Sequence, residues 1–267
     1  MTTIGFIGVG QLGQPMVRRL LAAGQRVAVY VRRDEVGSRL RGEGALLADS
    51  PAALASQSDI LISCLFSDAQ LRETALGADG FISHAKPDAV FVSHTTGSVD
   101  TLRELVRSAS SATILDAPVS GTAEDIAQGT LTVLIGGDPD AVQRVRPVLA
   151  AYANPIIATG DLGSALDIKL INNVLFAANA QLVAAAAQAG ERLGVHSDVL
   201  LDALSVCSGD SNAAAYARGT GGIAAFAQRA APFLRKDVAA AVAAAESAGT
   251  DLGLLRSVVE SGPLGLT

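Results

Sequence analysis

The sequence contains few of the residues that build disulfide frameworks, metal sites or aromatic clusters. Its 267 residues include two cysteines, three histidines and no tryptophan, and only 4% are aromatic. Cys64 and Cys207 are too few for a disulfide framework, and neither has cysteine or histidine neighbours at zinc-ligand spacing. Acidic residues and histidines show no cluster at ligand spacing either, so we expect no metal site. The sparse cysteines indicate a reducing compartment.

Positive charge is also in short supply. The chain has 20 Lys and Arg against 26 Asp and Glu, which gives a net charge of −6. Because a protein holds nucleic acid by setting positive charge against the phosphates, we expect no nucleic-acid partner. Charged residues make up 17% of the chain and apolar residues 49%, which excludes a disordered chain. A length of 267 residues fits one large domain or two modest ones.

The sequence lacks a long uninterrupted apolar segment. The alanine-rich residues 183–189 are bounded by Gln181, Glu191 and Arg192, so the apolar run falls short of the roughly 20 residues that cross a membrane. A strand pattern begins by the fourth residue, with no basic segment or cleavage site before it. We therefore expect a soluble, cytoplasmic protein with no membrane partner.

The pattern of apolar residues predicts an α/β domain at the start of the chain. Short β-branched segments alternate with helical patterns, which is typical of βαβ units around a parallel sheet. The predicted strands are Thr3–Ile7, Arg26–Val31, Ile60–Leu65, Ala89–Ser93, Thr113–Asp116, Leu131–Ile135 and Ile156–Ala158. The predicted helices between them include Gln11–Ala23, Ser67–Leu76 and Val99–Ser108.

The pattern changes near residues 160–163. Downstream, alanine and leucine recur at helical spacing, and Ser164–Leu193 predicts one long helix that is apolar over much of its circumference. We therefore predict two domains, an α/β domain at 1–162 and an all-α domain at 163–267. Because the second domain is too small to wrap such a helix, we also expect the chain to pair with another subunit.

A glycine-rich turn follows the first predicted strand. Gly8 allows the tight turn, Gly10 lets the backbone approach a pyrophosphate, and Gly13 allows close helix–strand packing. The helix that begins here offers free N–H groups to the phosphates. This context indicates a dinucleotide site, and a glycine-rich turn without a ligand is the alternative. The residues of this GxGxxG turn are Gly8, Val9, Gly10, Gln11, Leu12 and Gly13.

Two arginines follow the second predicted strand, where NAD-binding proteins usually carry an acidic residue for the ribose 2′-hydroxyl. Arg32 and Arg33 occupy that place. Guanidinium groups clamp a 2′-phosphate but gain nothing from a hydroxyl, so the pair favours NADP, with NAD as the second choice. Asp34 follows directly and opposes this interpretation. A solvated charged turn is the alternative.

Two later segments point to acid–base chemistry on a small carboxylate. The strand that ends at Asp116 is followed by small and hydroxyl residues whose N–H and O–H groups suit an anion, although an ordinary Ser-Gly turn has the same composition. On the long helix, Lys169, Asn172 and Asn173 fall on one face. Burial would bring the pKa of the lysine into the working range of a general acid/base. A lysine on an exposed helix face is the alternative.

These segments resemble the signatures of the β-hydroxyacid dehydrogenase family, which includes 3-hydroxyisobutyrate dehydrogenases and is related to 6-phosphogluconate dehydrogenase. The resemblance covers nearly all of the chain, and its four signatures occur in the family's order. They lie at Gly5–Met16, Asp116–Gly121, Gly160–Asn173 and Phe233–Asp237. The resemblance implies an N-terminal Rossmann-like dinucleotide-binding domain, a long connecting helix and an all-α C-terminal domain that assembles into homodimers or homotetramers.

The resemblance also implies a reaction and the residues that perform it. A hydride would pass between NADP(H) and a small 3-hydroxy acid or its semialdehyde, with Lys169 as the general acid/base and Asn173 orienting the substrate. Thr96 would contact the cofactor, and Lys236 would lie beside it and close the site. The residues implied to bind the substrate are Ser120, Gly121, Thr122 and Asn172.

Several positions depart from the family pattern and keep two alternatives open. Thr122 and Ala165 stand where glycines are usual, and Ser93–Thr96 lacks the expected acidic residue. An imine reductase of the same fold is one alternative, although in that group the lysine position commonly carries a different residue. A non-catalytic, cofactor-binding regulatory protein is the other. Among the histidines, only His94 lies where an open α/β sheet binds its ligands, at the predicted carboxyl edge.

Overall fold

The computed structural model describes residues 2–109 and 111–266. They form two compact units, which divide between Lys169 and Leu170. The first unit contains all the described strands, and the second contains only helices and their connections. The boundary predicted from composition, between residues 162 and 163, lies just ahead of the long helix that runs across this division.

Nine strands and twelve α-helices follow one another along the described residues, together with a short 3₁₀ turn at Ile82–His84. The strands are β1 (Thr3–Ile7), β2 (Arg26–Tyr30), β3 (Leu46–Leu47), β4 (Ile60–Ser63), β5 (Val90–Ser93), β6 (Thr113–Asp116), β7 (Val119–Ser120), β8 (Leu131–Gly136) and β9 (Ala153–Gly160). The helices of the first unit are α1 (Gly13–Ala22), α2 (Asp34–Gly42), α3 (Pro51–Gln57), α4 (Asp68–Ala75), α5 (Val99–Ser108), α6 (Ala123–Gln128) and α7 (Pro139–Leu149). The remaining helices are α8 (Ser164–Arg192), α9 (Ser197–Leu204), α10 (Asn212–Gly219), α11 (Ile223–Ser247) and α12 (Leu254–Ser261).

The sheet has the order β3-β2-β1-β4-β5-β6-β8-β7, with β9 paired to β8. The strands from β3 to β6 in this order are all parallel, which is the arrangement of a doubly wound dinucleotide-binding domain. The predicted α/β fold around a parallel sheet is confirmed, and one edge of the sheet carries an antiparallel strand. There β8 runs antiparallel to both β6 and β7. The connection from β7 to β8, which contains the six-residue α6, is shorter than the dozen or more residues of a parallel crossover.

The sheet is buried on both faces, as parallel sheets usually are. Ile4 and Phe6 of β1 pack on one face together with Met16 and Leu20 of α1. Ile7 lies on the opposite face, in a second cluster that reaches the start of α8 at Leu166 and contains twelve further buried residues of strands, helices and turns. The helical unit has its own core, built largely of alanine, leucine and valine side chains from α8, α10 and α11.

The long helix α8 ends one residue before the predicted limit. Although polar residues interrupt it, α8 is the one helix among the described residues that is long and apolar enough to cross a membrane by length and composition. Of its most apolar 18-residue window, 56% is buried inside the protein. Core helices of soluble proteins show the same combination of length, composition and burial.

Candidate active site

The glycine-rich turn lies at the carboxyl end of β1 and leads directly into α1. Gly8 has φ +90°, and a Cβ on it would lie 2.2 Å from the carbonyl oxygen of Cys64. A Cβ on Gly13 would lie 2.1 Å from the carbonyl oxygen of Gly8. A Cβ on Gly10 would meet no atom within 4 Å. Gly8 and Gly13 are therefore required by the fold, whereas Gly10 faces open space.

A cleft of about 440 Å³ opens beside this turn. It is formed by the carboxyl ends of β1, β2 and β4 together with the exposed side of α4. The residues predicted to bind the cofactor that line it are Gly8, Val9, Gly10, Arg32 and Arg33. The other residues of the turn, Gln11, Leu12 and Gly13, lead into α1, whose N-terminus has no side-chain cap. The N–H of Gln14 donates to the carbonyl oxygen of Gly10 at 3.1 Å, and Pro15 has no N–H. The N–H groups that an anion can approach are therefore those of Gln11, Leu12 and Gly13.

Arg32 and Arg33 are both exposed, and no hydrogen bond or ion pair of either guanidinium occurs within the described residues. The acidic residues that follow have a structural role. Asp34 and Glu35 form the first turn of α2, where negative side chains stabilise the positive end of the helix dipole. Asp34 therefore serves the start of α2 while the two arginines line the cleft.

Residues that the motifs did not single out form the far side of the cleft. Tyr30 ends β2, Phe66 follows β4, and Gln70 and Glu73 lie on α4. Phe66 is 67% exposed, which is unusual for so large an apolar side chain. A signal was present in the sequence, because Phe66 lies three residues beyond the carboxyl end of β4, the strand next to β1, where open α/β sheets bind ligands.

The loop after β5 carries Thr96, which is half-buried, and His94, which is buried. Nδ1 of His94 lies 2.5 Å from the carbonyl oxygen of Ala117, and Nε2 lies 2.8 Å from the hydroxyl of Tyr152. Since a carbonyl only accepts, Nδ1 carries the proton and Nε2 accepts the hydrogen bond of Tyr152. Burial lowers the pKa of His94 to about 4. His94 is therefore a neutral core residue whose two ring nitrogens are both satisfied.

The segment predicted to bind the substrate carboxylate lies at β7 and the turn after it. Ser120 and Gly121 are exposed, and Gly121 has φ +139°. Thr122 caps α6: its N–H and its hydroxyl donate to Oδ2 of Asp125 at 2.6 and 2.7 Å, and Oγ1 accepts from the N–H of Asp125 at 3.3 Å. These bonds lower the pKa of Asp125. The hydrogens of Thr122 are thus committed to the helix cap.

The lysine and the two asparagines lie on α8 at the predicted spacing. Lys169 is half-buried and belongs to the first unit, while Asn172 and Asn173 belong to the second. Asn173 is only 9% exposed, and its Oδ1 accepts a hydrogen bond from Nδ2 of Asn172 at 3.2 Å. Lys236 is exposed on α11 of the second unit. The roles predicted for these four residues stay predictions.

Asp116 is a functional candidate that sequence reasoning treated only as the start of the substrate segment. Its side chain is wholly buried. Its carboxylate accepts hydrogen bonds from the N–H groups of Gly163, at 2.8 Å, and Leu166, at 2.9 Å. Burial raises the pKa of Asp116, and these N–H donors oppose the rise. No local pattern could reveal a bond between residues 47 positions apart.

Two family models match the chain, one after the other. Residues 3–160 match the NAD-binding domain of 6-phosphogluconate dehydrogenase. Residues 163–261 match the NAD-binding model of NADP-dependent 3-hydroxyisobutyrate dehydrogenase. The chain belongs to the β-hydroxyacid dehydrogenase family. This family consists of NAD(P)-dependent oxidoreductases. The matches confirm the resemblance that the sequence signatures indicated.

Relatives within the β-hydroxyacid dehydrogenase family are moderately similar to the chain. An uncharacterized oxidoreductase of Shewanella frigidimarina is 34% identical over 180 residues, which are 66% of this chain and 62% of that protein. The 3-hydroxyisobutyrate dehydrogenase of Pseudomonas aeruginosa is 32% identical over 211 residues, which are 78% of this chain and 71% of that protein. The chain thus matches less than two thirds of the Shewanella protein's length.

A solved structure of the family extends the similarity to nearly the whole chain. The 3-hydroxyisobutyrate dehydrogenase of Mycobacterium tuberculosis, solved with L-serine, has a TM-score of 0.86 and 28% identity. It covers 97% of this chain, which in turn covers 92% of it. An imine reductase of Streptomyces aurantiacus has a TM-score of 0.67 at 19% identity, a level that shows the shared fold alone.

The residues of the cleft fit the nicotinamide dinucleotide that the family uses. The pyrophosphate of such a cofactor needs a backbone without side chains at its closest approach, and the space in front of Gly10 is open. Gly8, Val9 and Gly10 line the cleft beside the start of α1. A nicotinamide cofactor is therefore assigned to this turn.

We predict that Gly10→Ala separates cofactor binding from folding. The new methyl group meets no protein atom, so the thermal midpoint should stay unchanged, while affinity for NADPH and NADH should fall about tenfold or more because the methyl group occupies the phosphate approach. Fluorescence titration and thermal unfolding measure the two effects. Gly13→Ala is the matched control and should destabilise the fold by ~1–3 kcal/mol. Unchanged affinity in Gly10→Ala would place the phosphates elsewhere.

We also predict that His94 makes the protein sensitive to acid. Its pKa falls from 6.5 to about 4 on folding, so the unfolded chain binds more protons between these values. Stability is therefore full above pH 6.5 and is lost towards pH 4, by on the order of 3 kcal/mol. Urea unfolding at pH 7 and pH 5 measures the loss. His94→Gln, which keeps one donor and one acceptor, should show a smaller loss; an equal loss would assign the acid sensitivity to other groups.

Proposed function

We propose that the chain is an NADP-preferring oxidoreductase that interconverts a small 3-hydroxy acid and its semialdehyde. The observation that carries the proposal is the placement of Arg32 and Arg33 in the same cleft as the glycine turn. A guanidinium pair there favours a 2′-phosphate over a hydroxyl. The assignment of a 3-hydroxy acid is supported by the relatives named 3-hydroxyisobutyrate dehydrogenase and by L-serine, itself a 3-hydroxy acid, in the Mycobacterium tuberculosis structure.

The proposed chemistry requires a proton carrier and an anion site from the protein. When bound, the nicotinamide exchanges a hydride with the carbon that bears the hydroxyl group. The Lys169 amine takes the hydroxyl proton during oxidation and returns it during reduction. Asn173, one helical turn further along α8, orients the substrate oxygen.

In this proposal the substrate carboxylate is held by Ser120 and Gly121, which are exposed beside the end of β7. Thr122 contributes by fixing the segment, since its N–H and hydroxyl already donate to Asp125. Asn172 supports Asn173 through the hydrogen bond between their side chains. In the same proposal Thr96 contacts the cofactor, and Lys236 lies beside it.

The presence of Lys169 favours a dehydrogenase over an imine reductase, because the proton transfer of the first reaction needs a group of this kind. The similarity to the imine reductase structure concerns the fold alone. No observation on the described residues favours the purely regulatory, non-catalytic alternative.

We propose that the protein works in the cytoplasm as a homodimer or homotetramer. What supports assembly is the set of large apolar side chains that α8 leaves exposed. Ile171, Leu175 and Leu182 are 54%, 48% and 54% exposed. Their spacing of four and seven residues sets them along one side of the helix, and a second copy of the chain would cover them.

We predict that neutralising the arginine pair changes cofactor choice. In Arg32→Gln/Arg33→Gln, the Kd for NADPH should rise about 100-fold or more, because two charge-assisted contacts to the 2′-phosphate are lost. The Kd for NADH should change little. Parallel fluorescence titrations measure both. Arg41 lies on α2, which also contributes Val36 to the cleft, but Arg41 itself does not line the cleft. Arg41→Gln should therefore leave the Kd values for NADPH and NADH unchanged. An equal rise in the Kd for NADPH and for NADH would show that Arg32 and Arg33 do not recognise the 2′-phosphate.

We predict that Lys169→Met greatly slows turnover but leaves cofactor binding intact. Loss of the proton carrier should lower kcat by about 10²–10⁴-fold, while the Kd for NADPH stays near that of the unaltered chain. Steady-state rates with a panel of 3-hydroxy acids and semialdehydes, on protein titrated with NADPH, measure both quantities. A kcat within threefold of the original would show that the proton moves through another group.

A further inference from the structure

The buried carboxylate of Asp116 connects two parts of the proposed site. Asp116 ends β6 and begins the segment that leads to Ser120. One of its oxygens accepts the N–H of Gly163 at 2.8 Å, and the other accepts the N–H of Leu166 at 2.9 Å. Both donors lie at the start of α8, the helix of Lys169. A single side chain therefore holds the end of the strand and the start of the helix together.

This connection differs from the way in which other helices of the chain begin. Ser50, Ser98 and Asp138 each precede a helix and accept the N–H of the residue three positions later. Gly163, which precedes α8, has no side chain for this purpose. The acceptor comes instead from β6, at sequence separations of 47 and 50 residues. The unpaired N–H groups that every helix start presents are thus used here to fix tertiary structure.

The surroundings of Asp116 leave little room for adjustment. Gly136 of β8 pairs with Asp116 across the sheet, and a Cβ on Gly136 would lie 2.6 Å from Oδ1 of Asp116 and 2.8 Å from Oγ of Ser164. The hydroxyl of Ser164, the first residue of α8, lies 2.7 Å from that of Thr159 in β9. Three strands therefore pack tightly around the first turn of the helix.

The carboxylate is well suited to this task. Hydrogen bonds from N–H groups to an ionised carboxylate are short and strong, and a negative charge at a helix N-terminus stabilises the helix dipole. With two oxygens, one for each donor, the carboxylate fixes the direction of the helix start as well as its distance. An amide of the same size would present an NH₂ group to one of the two donors.

We propose that Asp116 is a positioning residue, which sets the Lys169 amine at its working distance from the anion site at Ser120 and Gly121. Lys169 follows Leu166 by three residues, about 4.5 Å along the helix axis, and Ser120 follows Asp116 by four. A displacement of about 1 Å between reacting groups costs on the order of 100-fold in rate. This proposal rests on the proposed function, in which both residues act on one substrate.

The test compares Asp116→Asn with Asp138→Asn. Asp138 also accepts an N–H at a helix start, from Ala141 at 2.8 Å, but α7 carries none of the proposed site residues. In Asp116→Asn we expect kcat to fall about 10–100-fold, with NADPH bound at full stoichiometry and a Kd within twofold. Asp138→Asn should keep its kcat. Because the NADPH titration counts folded protein, partial unfolding cannot imitate this result; if the Asn variant does not fold, Asp116→Ser replaces it.

Hydrogen exchange gives a readout that is independent of turnover. The amides of Gly163 and Leu166 should exchange at least tenfold faster in Asp116→Asn than in Asp138→Asn. A kcat per bound NADPH within twofold of the original would overturn the proposal even if exchange rises, and unchanged exchange would overturn it as well. If the unaltered chain binds NADPH but turns over no 3-hydroxy acid or semialdehyde, the proposed function fails, and exchange at these two amides alone decides whether Asp116 holds the helix.

Discussion

The contact between the turn after β1 and the neighbouring strand β4 determines where a dinucleotide can bind to this protein. Gly8 packs against the backbone of Cys64 so closely that a methyl group would overlap its carbonyl oxygen. This contact brings the ends of β1 and β4 together and lets α1 begin immediately at Gly13, which packs on Gly8 in the same way. The cleft that opens beside this contact is lined by Arg32 and Arg33 and by the aromatic residues Tyr30 and Phe66.

The protein uses the N–H groups of helix starts in two opposite ways. At α1 no side chain caps the helix start, and the glycine turn directly before it lines the cleft, where an anionic ligand can bind. At α8 they are completed by the Asp116 carboxylate, which is buried and belongs to the protein. The first helix is thereby prepared for a ligand, and the second is held in place. Unpaired N–H groups at a helix start thus favour ligand binding at α1 and fix the position of the helix at α8.

Local patterns predicted the elements well where the signal was local. The limits of α5 agree residue for residue with the prediction, because Ser98 caps the helix and apolar residues recur at helical spacing after it. The cofactor turn, the arginine pair and the Lys-x-x-Asn-Asn spacing were also visible in the sequence. The antiparallel direction of β8 was not visible in the sequence, because it depends on the short connection formed by β7 and α6. The bond from Asp116 to Leu166 and the neutral state of His94 depend on residues brought together only by folding.

The positions of the tyrosines give this protein a built-in set of optical reporters. Its three tyrosines, Tyr30, Tyr152 and Tyr216, emit without interference because the chain has no tryptophan. Tyr30 lines the cofactor cleft, Tyr152 is sealed in the core against His94, and Tyr216 is 53% exposed in the helical unit beside Phe176. Ligand entry, loss of the sheet core and opening of the helical unit each change the environment of a different phenol. The three phenols emit at the same wavelength, so Tyr→Phe replacement of two of them leaves an unlabelled chain whose emission follows one chosen event.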